Sequence, residues 1–117
     1  MNIKFNEDEK IVATFVEETK EHLTEIEQGI LLLERNSGNI DDGLVHSMFR
    51  AAHSIKAGAN LLEFRNIEAL SHEMENTLQN LRQQKLVLTK DIVDVFLKQI
   101  DKTEEMVNEL KRSYKIK

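Results

Sequence analysis

No proline interrupts the 117 residues of this chain, and only four of its residues are glycine. Proline and glycine are the residues that most often break regular structure, so a β-rich fold with many turns would have few residues to form them. Apolar residues instead recur three and four positions apart through most of the chain, which is the spacing of an amphipathic helix. The sequence therefore predicts an all-α protein.

Four amphipathic segments are separated by short polar connections. We predict helices over about residues 8–35, 42–62, 66–85 and 89–113. A residue at the start of each can act as an N-cap, because its side-chain oxygen can accept a hydrogen bond from a backbone N–H of the first turn. The candidate caps are Asp8, Asp41 or Asp42, Asn66 and Thr89. Short connections place consecutive helices antiparallel, so we expect a single domain, residues 1–117, folded as an up-down-up-down four-helix bundle.

The overall charge and composition exclude several classes of protein. The net charge is −5, and nucleic-acid binding usually requires a basic face. There is no cysteine, and there is no apolar run long enough for a transmembrane helix. The start of the chain, MNIKFNEDEK, lacks the apolar centre of a signal peptide. We therefore expect a cytoplasmic protein that binds neither nucleic acid nor membrane and folds as a monomer around one core.

Two helical flanks carry candidate chemistry. In the segment FRAAHSIKAG, His53 lies beside the apolar stripe of the second helix, with Arg50 three residues before it and Lys56 three residues after it. Residues three apart share a helix face. On the third helix, His72 and Glu75 have the same spacing, and we predict that both lie off its apolar stripe. The two flanks can meet along one groove of a bundle.

A histidine, a carboxylate and an ammonium group in one groove suit nucleophilic chemistry. A carboxylate that accepts a hydrogen bond from one imidazole nitrogen fixes the tautomer and leaves the other nitrogen as a nucleophile. An imidazole with the ordinary pKa of roughly 6.5 is mostly neutral at cytoplasmic pH. A neighbouring ammonium can stabilise a phosphoryl group or the charge that develops during its transfer. Each residue alone is an ordinary surface residue, and only the combination indicates a site.

The combination resembles a known family. FRAAHSIKAG is similar to the phospho-accepting segment of histidine phosphotransfer (HPt) domains, most closely the N-terminal domain of the chemotaxis kinase CheA, where it typically reads FRAAHSIKGG. On the third helix, SHEMENTL matches the second histidine of the family and the glutamate three residues after it. The segment DIVDVFLKQIDKTEEMV resembles the fourth helix of the family. The resemblance extends from about Thr14 to Leu110.

The resemblance implies both a site and partners. His53, on the second helix, would be phosphorylated on Nε2, and Glu75 would hold its Nδ1–H. Lys56 would lie near the phosphoryl group, and His72 would complete the hydrogen-bonding network. A histidine kinase catalytic domain or a phosphorylated receiver would donate the phosphoryl group, and an aspartate of a response-regulator receiver domain would accept it. Since the receiver supplies Mg²⁺ and this chain has no glycine-rich ATP-binding motif, we expect a phosphocarrier that is not an enzyme and needs no cofactor or metal.

Departures from the family pattern leave alternatives open. The family usually has glycine four residues after the histidine, where this chain has Ala57, and ANLLEF replaces small, glycine-rich residues common in chemotaxis kinases. One alternative is therefore a degenerate HPt-like module that binds a receiver without carrying phosphate. Another is a metal-binding bundle using His53, His72 and Glu75, although di-iron bundles use Glu-x-x-His on two helices and this chain has the reverse order once. The chain can be a free-standing protein or a domain of a larger kinase.

Overall fold

Four α-helices make up the chain in a computed structural model, which describes residues 2–36 and 39–116. Their bounds are α1 Asn2–Arg35, α2 Asp42–Leu61, α3 Arg65–Arg82 and α4 Lys90–Ser113. Each helix packs against two others, α1 against α2 and α4, and α3 against α2 and α4, so the four close an up-down-up-down bundle. The bundle is 54 Å long and 20 Å wide. The predicted all-α, four-helix fold is confirmed.

One apolar face of each helix forms the core. Burying a large apolar side chain contributes about 1.5–3 kcal/mol relative to leaving it exposed, so this core is the main source of stability of the bundle. The largest fully buried apolar side chains are Ile26, Ile30, Leu33, Val45, Met48, Ile55, Met74, Leu78, Leu81, Phe96 and Val107. No helix within the described ranges combines the length and apolar character needed to cross a membrane.

Two of the predicted N-caps are confirmed by their hydrogen bonds. The Oδ1 atom of Asp41 accepts from the backbone N–H of Leu44 at 3.1 Å, at the start of α2. At the start of α4, Oγ1 of Thr89 accepts from the backbone N–H of Ile92 at 3.3 Å. In both cases a side-chain oxygen replaces the carbonyl partner that the first turn lacks.

The other two predicted caps are wrong. The first helix begins at Asn2, so Asp8 lies inside it, because no glycine or proline precedes Asp8 to stop the helix. The third helix begins at Arg65, so Asn66 also lies inside a helix, and the cap position is Phe64, whose side chain makes no capping bond. The predicted connection between the first two helices, residues 36–41, falls partly on residues 37 and 38, which are outside the described ranges.

Backbone hydrogen bonds, and not a capping side chain, form the boundary between α2 and α3. The N–H of Glu63 donates to the carbonyl of Asn60, and that of Phe64 donates to the carbonyl of Ala59 at 2.8 Å. Glu63 adopts a left-handed conformation with φ 64°. This is the Schellman arrangement that ends a helix. The ring of Phe64 then lies 5.5 Å from that of Phe15, centroid to centroid, and this packing holds the turn so that α3 starts at once.

The ends of α3 and α4 repeat this geometry. Gln84 and Lys115 have φ angles of 59° and 55°, and the residue after each donates its N–H to a carbonyl five positions back. Three helices therefore end on a left-handed residue that is not glycine, and such a residue is strained by contact between its Cβ and the backbone. The left-handed residue at Gln84 also explains why α3 ends at Arg82, three residues earlier than predicted.

Two glycines bring α1 and α2 close together. A Cβ atom on Gly29 of α1 would lie 2.6 Å from Sδ of Met48, and one on Gly58 of α2 would lie 3.0 Å from a ring carbon of Phe15. Neither position has room for a methyl group unless its neighbour moves. These contacts fix the position of α2, which is the helix that carries His53.

Candidate functional site

The groove between α2 and α3 brings together three of the four predicted site residues. The Nδ1 atom of His53 lies 2.7 Å from Oε2 of Glu75. The Nζ atom of Lys56 donates to Oε1 of the same carboxylate, also at 2.7 Å. One carboxylate thus binds the imidazole with one oxygen and the ammonium with the other.

The local fold explains this arrangement. His53 and Lys56 are three residues apart on α2, so both face the same neighbouring helix. The tight turn after α2 reverses the chain direction, and Glu75 on α3 meets them 22 positions after His53. The same register continues two helical turns further along the groove, where Arg82 lies 3.3 Å from Nδ1 of His46.

The site has a buried carboxylate and an exposed imidazole. The side chain of Glu75 is 10% exposed, that of Lys56 is 25% exposed and that of His53 is 58% exposed. The prediction that Glu75 lies off the packed face of α3 is wrong, because this helix buries both Ser71 and Glu75, one turn apart. The exposed position predicted for His53 is as observed.

The hydrogen bond to Glu75 determines which nitrogen of His53 carries the proton. A carboxylate can only accept, so we assign the proton to Nδ1 and the free lone pair to Nε2, on the exposed part of the ring. Burial raises the pKa of the Glu75 carboxyl group. The hydrogen bonds from Lys56 and His53, together with their positive charges, lower this pKa by a larger amount. The net pKa lies below its usual value. The carboxylate is therefore ionised at neutral pH and accepts both bonds.

Phe49 supports the imidazole from the preceding helical turn. Its ring is nearly parallel to that of His53, with an angle of 10° between the planes and 6.4 Å between the centroids. Phe49 also packs against the hydrophobic core. The i, i+4 spacing of the two residues was the signal that would have identified this neighbour.

His72 is not part of the hydrogen-bonded group in this structure. It is exposed on α3, one turn before Glu75, and within the described part of the chain it bonds to none of His53, Lys56 and Glu75. The predicted network of four residues is thus a network of three here. Ala57 is also exposed, one turn after His53 on α2, so its methyl group adds to the surface beside the imidazole.

No three histidine, aspartate or glutamate side chains among residues 8–36 and 39–116 are grouped as metal ligands. At the candidate site, both oxygens of Glu75 are already bound, one of them by the ammonium group of Lys56, whose charge repels a cation. The alternative of a metal-binding bundle therefore has no support in this geometry.

A family model and curated relatives match this chain over most of its length. A family model described as Hpt domain matches residues 10–113. The chain is 33% identical over 96 residues to the chemotaxis protein CheA of Bacillus subtilis, covering 82% of this chain and 14% of that protein. It is 36% identical over 100 residues to the chemotaxis protein CheA of Salmonella typhimurium, covering 86% of this chain and 15% of that protein. The chain thus spans only about one seventh of the length of these curated relatives.

Two solved structures resemble most of the bundle. The CheA phosphotransferase domain from Thermotoga maritima matches with a TM-score of 0.80 and 31% identity, over 87% of this chain and 95% of that domain. A solution structure of the histidine phosphotransfer domain of CheA matches with a TM-score of 0.81 and 31% identity, over 91% of this chain and 78% of that one.

Proposed function

The chain belongs to the Hpt domain family, and on that premise we propose that it carries a phosphoryl group on Nε2 of His53 in two-component signalling. The observation that supports this most strongly is the 2.7 Å contact between Nδ1 of His53 and Glu75, which leaves Nε2 as the nucleophile on the exposed part of the ring. Nε2 would attack the phosphorus of the donor, forming an N–P bond as the bond between phosphorus and the donor oxygen breaks. An aspartate oxygen of a receiver would then attack the phosphorus and break the N–P bond.

Each neighbour of His53 has a role that follows from its position. Glu75 is a positioning residue, because it holds the Nδ1–H and offsets the positive charge that the ring gains as the N–P bond forms. The ammonium group of Lys56, partly exposed at the same carboxylate, would stabilise the negative charge of the phosphoryl group. We also propose that His72, exposed one turn before Glu75, contacts the phosphoryl group or the partner and not the resting imidazole.

The proposed partners are proteins that supply the missing parts of the reaction. The donor is the catalytic domain of a histidine kinase or a phosphorylated receiver, and the acceptor is a receiver-domain aspartate with its own Mg²⁺. This chain would act as a phosphocarrier and not as an enzyme. We further propose that residues 1–117 form one HPt domain that works as a monomer in the cytoplasm.

A second candidate function rests on one residue, Ala57. The methyl group of Ala57 lies on the exposed surface beside His53, where the family usually has glycine, and this favours a module that binds a receiver without accepting phosphate. The contacts of His53 and Lys56 with Glu75 favour the carrier, because a module that never holds a phosphoryl group has no need for them.

Labelling of His53 tests the proposal. The chain is incubated with a phosphorylated receiver domain, or with a CheA-type kinase core and ATP, and acid-labile phosphate is followed over time. We expect label in the wild type and in His46→Gln, which alters another exposed histidine of α2, and none in His53→Gln. Absence of label with several donors, in a protein that is helical by circular dichroism, would contradict the carrier and favour the receiver-binding module.

A further inference from the structure

Leu61 is 81% exposed, more than any other large apolar side chain described among residues 8–36 and 39–116. A single exposed leucine is common in proteins and needs no explanation by itself. Its position is what matters here, because Arg50, His53, Ala57 and Leu61 are all exposed and follow one another at intervals of three or four along α2. They therefore occupy one side of the helix, and we call these four residues the α2 strip.

A partner protein that covers His53 also covers Leu61. An α-helix rises 1.5 Å per residue, which places Leu61 roughly 12 Å along the helix axis from His53. An acceptor oxygen must come into bonding contact with a phosphoryl group on Nε2, so a transfer partner has to cover His53. A protein interface of standard size covers roughly 800 Å² of each partner, which corresponds to a disc of roughly 16 Å radius. A disc centred on His53 includes Leu61.

The α2 strip has different chemistry on the two sides of His53. On the N-terminal side, Arg50 is exposed and makes no ion pair within the described part of the chain, although Glu25 lines the adjacent groove. On the C-terminal side, Ala57 and Leu61 offer only apolar surface. A partner that fits this pattern has an acidic face at the reacting centre and an apolar depression beside it. A receiver domain meets the first condition, because its phosphoryl acceptor is an aspartate carboxylate.

A receiver must cover His53 to accept its phosphoryl group, and we propose that Leu61 is the apolar anchor and Arg50 the electrostatic contact of that receiver on the α2 strip; this inference rests on the proposed function. Leu61 lies too far from Nε2 to touch the reacting atoms. It sets the affinity for the receiver, and the difference between the two sides of the strip fixes the orientation in which the receiver binds. The same residues give this chain a means of selecting among receivers.

Transfer kinetics with a small-molecule donor separate docking from chemistry. Wild type, Leu61→Gln and the control Leu32→Gln, which alters a 45% exposed leucine of α1, are labelled with phosphoramidate, a donor that needs no docking surface. Each labelled protein is then mixed with increasing concentrations of one receiver domain that accepts phosphate from the wild type. We expect equal labelling, and a half-saturating receiver concentration that rises about tenfold or more in Leu61→Gln alone, with an unchanged limiting rate.

Two results would overturn the proposal. A half-saturating concentration in Leu61→Gln within twofold of that in Leu32→Gln would remove the anchor role of Leu61. A defect confined to phosphorylation by a kinase core and ATP would assign the strip to the kinase instead. Failure of the proposed function would look different, because the wild-type His53 would then pass no phosphoryl group to any receiver.

The electrostatic half of the proposal has its own test. A charge that steers association makes the association rate fall with rising salt. With the same receiver domain as probe, Arg50→Gln should slow transfer severalfold at low salt and weaken its salt dependence. An unchanged salt dependence would show that Arg50 makes no contact with the receiver.

Discussion

The Nδ1 atom of His53 and the Oε2 atom of Glu75 lie 2.7 Å apart, although the two residues are 22 positions apart in the sequence. This contact selects the tautomer with the proton on Nδ1 and holds the ring, which is otherwise 58% exposed, in one orientation. The other oxygen of Glu75 holds Lys56 at the same distance. Replacement and titration of Glu75 therefore test the site most directly.

Replacement of Glu75 with alanine should slow phosphorylation of His53 by roughly tenfold or more, because the imidazole loses both its fixed tautomer and the charge that stabilises its cationic form. The initial rate of acid-labile labelling by a kinase core and ATP measures this effect. Glu73→Ala, which removes an exposed carboxylate from the same helix, is the matched control and should label at the wild-type rate. Equal rates in the two variants would show that Glu75 does not orient the nucleophile.

The stability of the fold should depend on pH through Glu75. Burial raises the pKa of this carboxyl group, but the hydrogen bonds and charges of Lys56 and His53 lower it to below the ordinary value of 4.5. A group whose pKa is lower in the folded than in the unfolded chain adds stability above the unfolded pKa, and this stability is lost as pH falls through the folded pKa.

Urea unfolding of wild type and Glu75→Gln over a pH series isolates that contribution, since the remaining carboxyl groups are common to both proteins. We expect the wild-type advantage in the free energy of unfolding to be fully present above about pH 6 and to shrink as pH falls below about 4.5. A difference that stays constant down to pH 3 would mean that the folded and unfolded pKa values of Glu75 are the same.

His72→Ala should affect phosphorylation of His53 much less than Glu75→Ala does. In this structure His72 is exposed and bonds to none of the three residues of the site, so its removal leaves the tautomer and orientation of His53 intact. Phosphoramidate labelling should be within about twofold of wild type, because a small donor does not depend on docked partners. A loss of labelling as large as that in Glu75→Ala would place His72 in the network after all.

The limits of prediction from sequence are clear in particular residues. The apolar spacing predicted all four helices, and the resemblance to HPt domains, now confirmed, predicted that Glu75 would meet His53. The sequence did not predict the start of α3, because backbone bonds and the packing of Phe64 form that turn without a capping side chain. Burial of Glu75 was also missed, since a glutamate is expected in solvent until the partners that neutralise it are known.

Ala57→Gly tests whether the extra methyl group on the α2 surface matters. Glycine in a helix interior costs about 1 kcal/mol relative to alanine, so the variant should be less stable by about that amount in urea unfolding. We expect labelling of His53 to be unchanged and transfer to a receiver to be a few times faster, because Ala57 is exposed one turn from His53 and glycine there would let a receiver approach the imidazole more closely. Unchanged transfer rates would remove any special role for this methyl group.

Gln84→Gly should stabilise the protein by roughly 0.5–1 kcal/mol. Gln84 has φ 59°, a conformation that glycine adopts without the Cβ strain of other residues. Gln83→Gly is the matched control, because Gln83 has φ −85° and gains nothing from glycine. Urea unfolding of the two variants compares them directly, and a Gln84→Gly variant no more stable than Gln83→Gly would show that the left-handed turn is not strained.

The short turn between α2 and α3 has a consequence for how such a chain can diversify. His53, Lys56 and Glu75 all belong to one pair of consecutive helices joined by Leu62, Glu63 and Phe64. Within the described part of the chain, neither α1 nor α4 supplies an atom to this hydrogen-bonded group, so their outer surfaces can change in evolution without altering the reactive centre. The reactive group thus depends on α2 and α3, and exposed residues of α1 and α4 can acquire new binding functions without disturbing it.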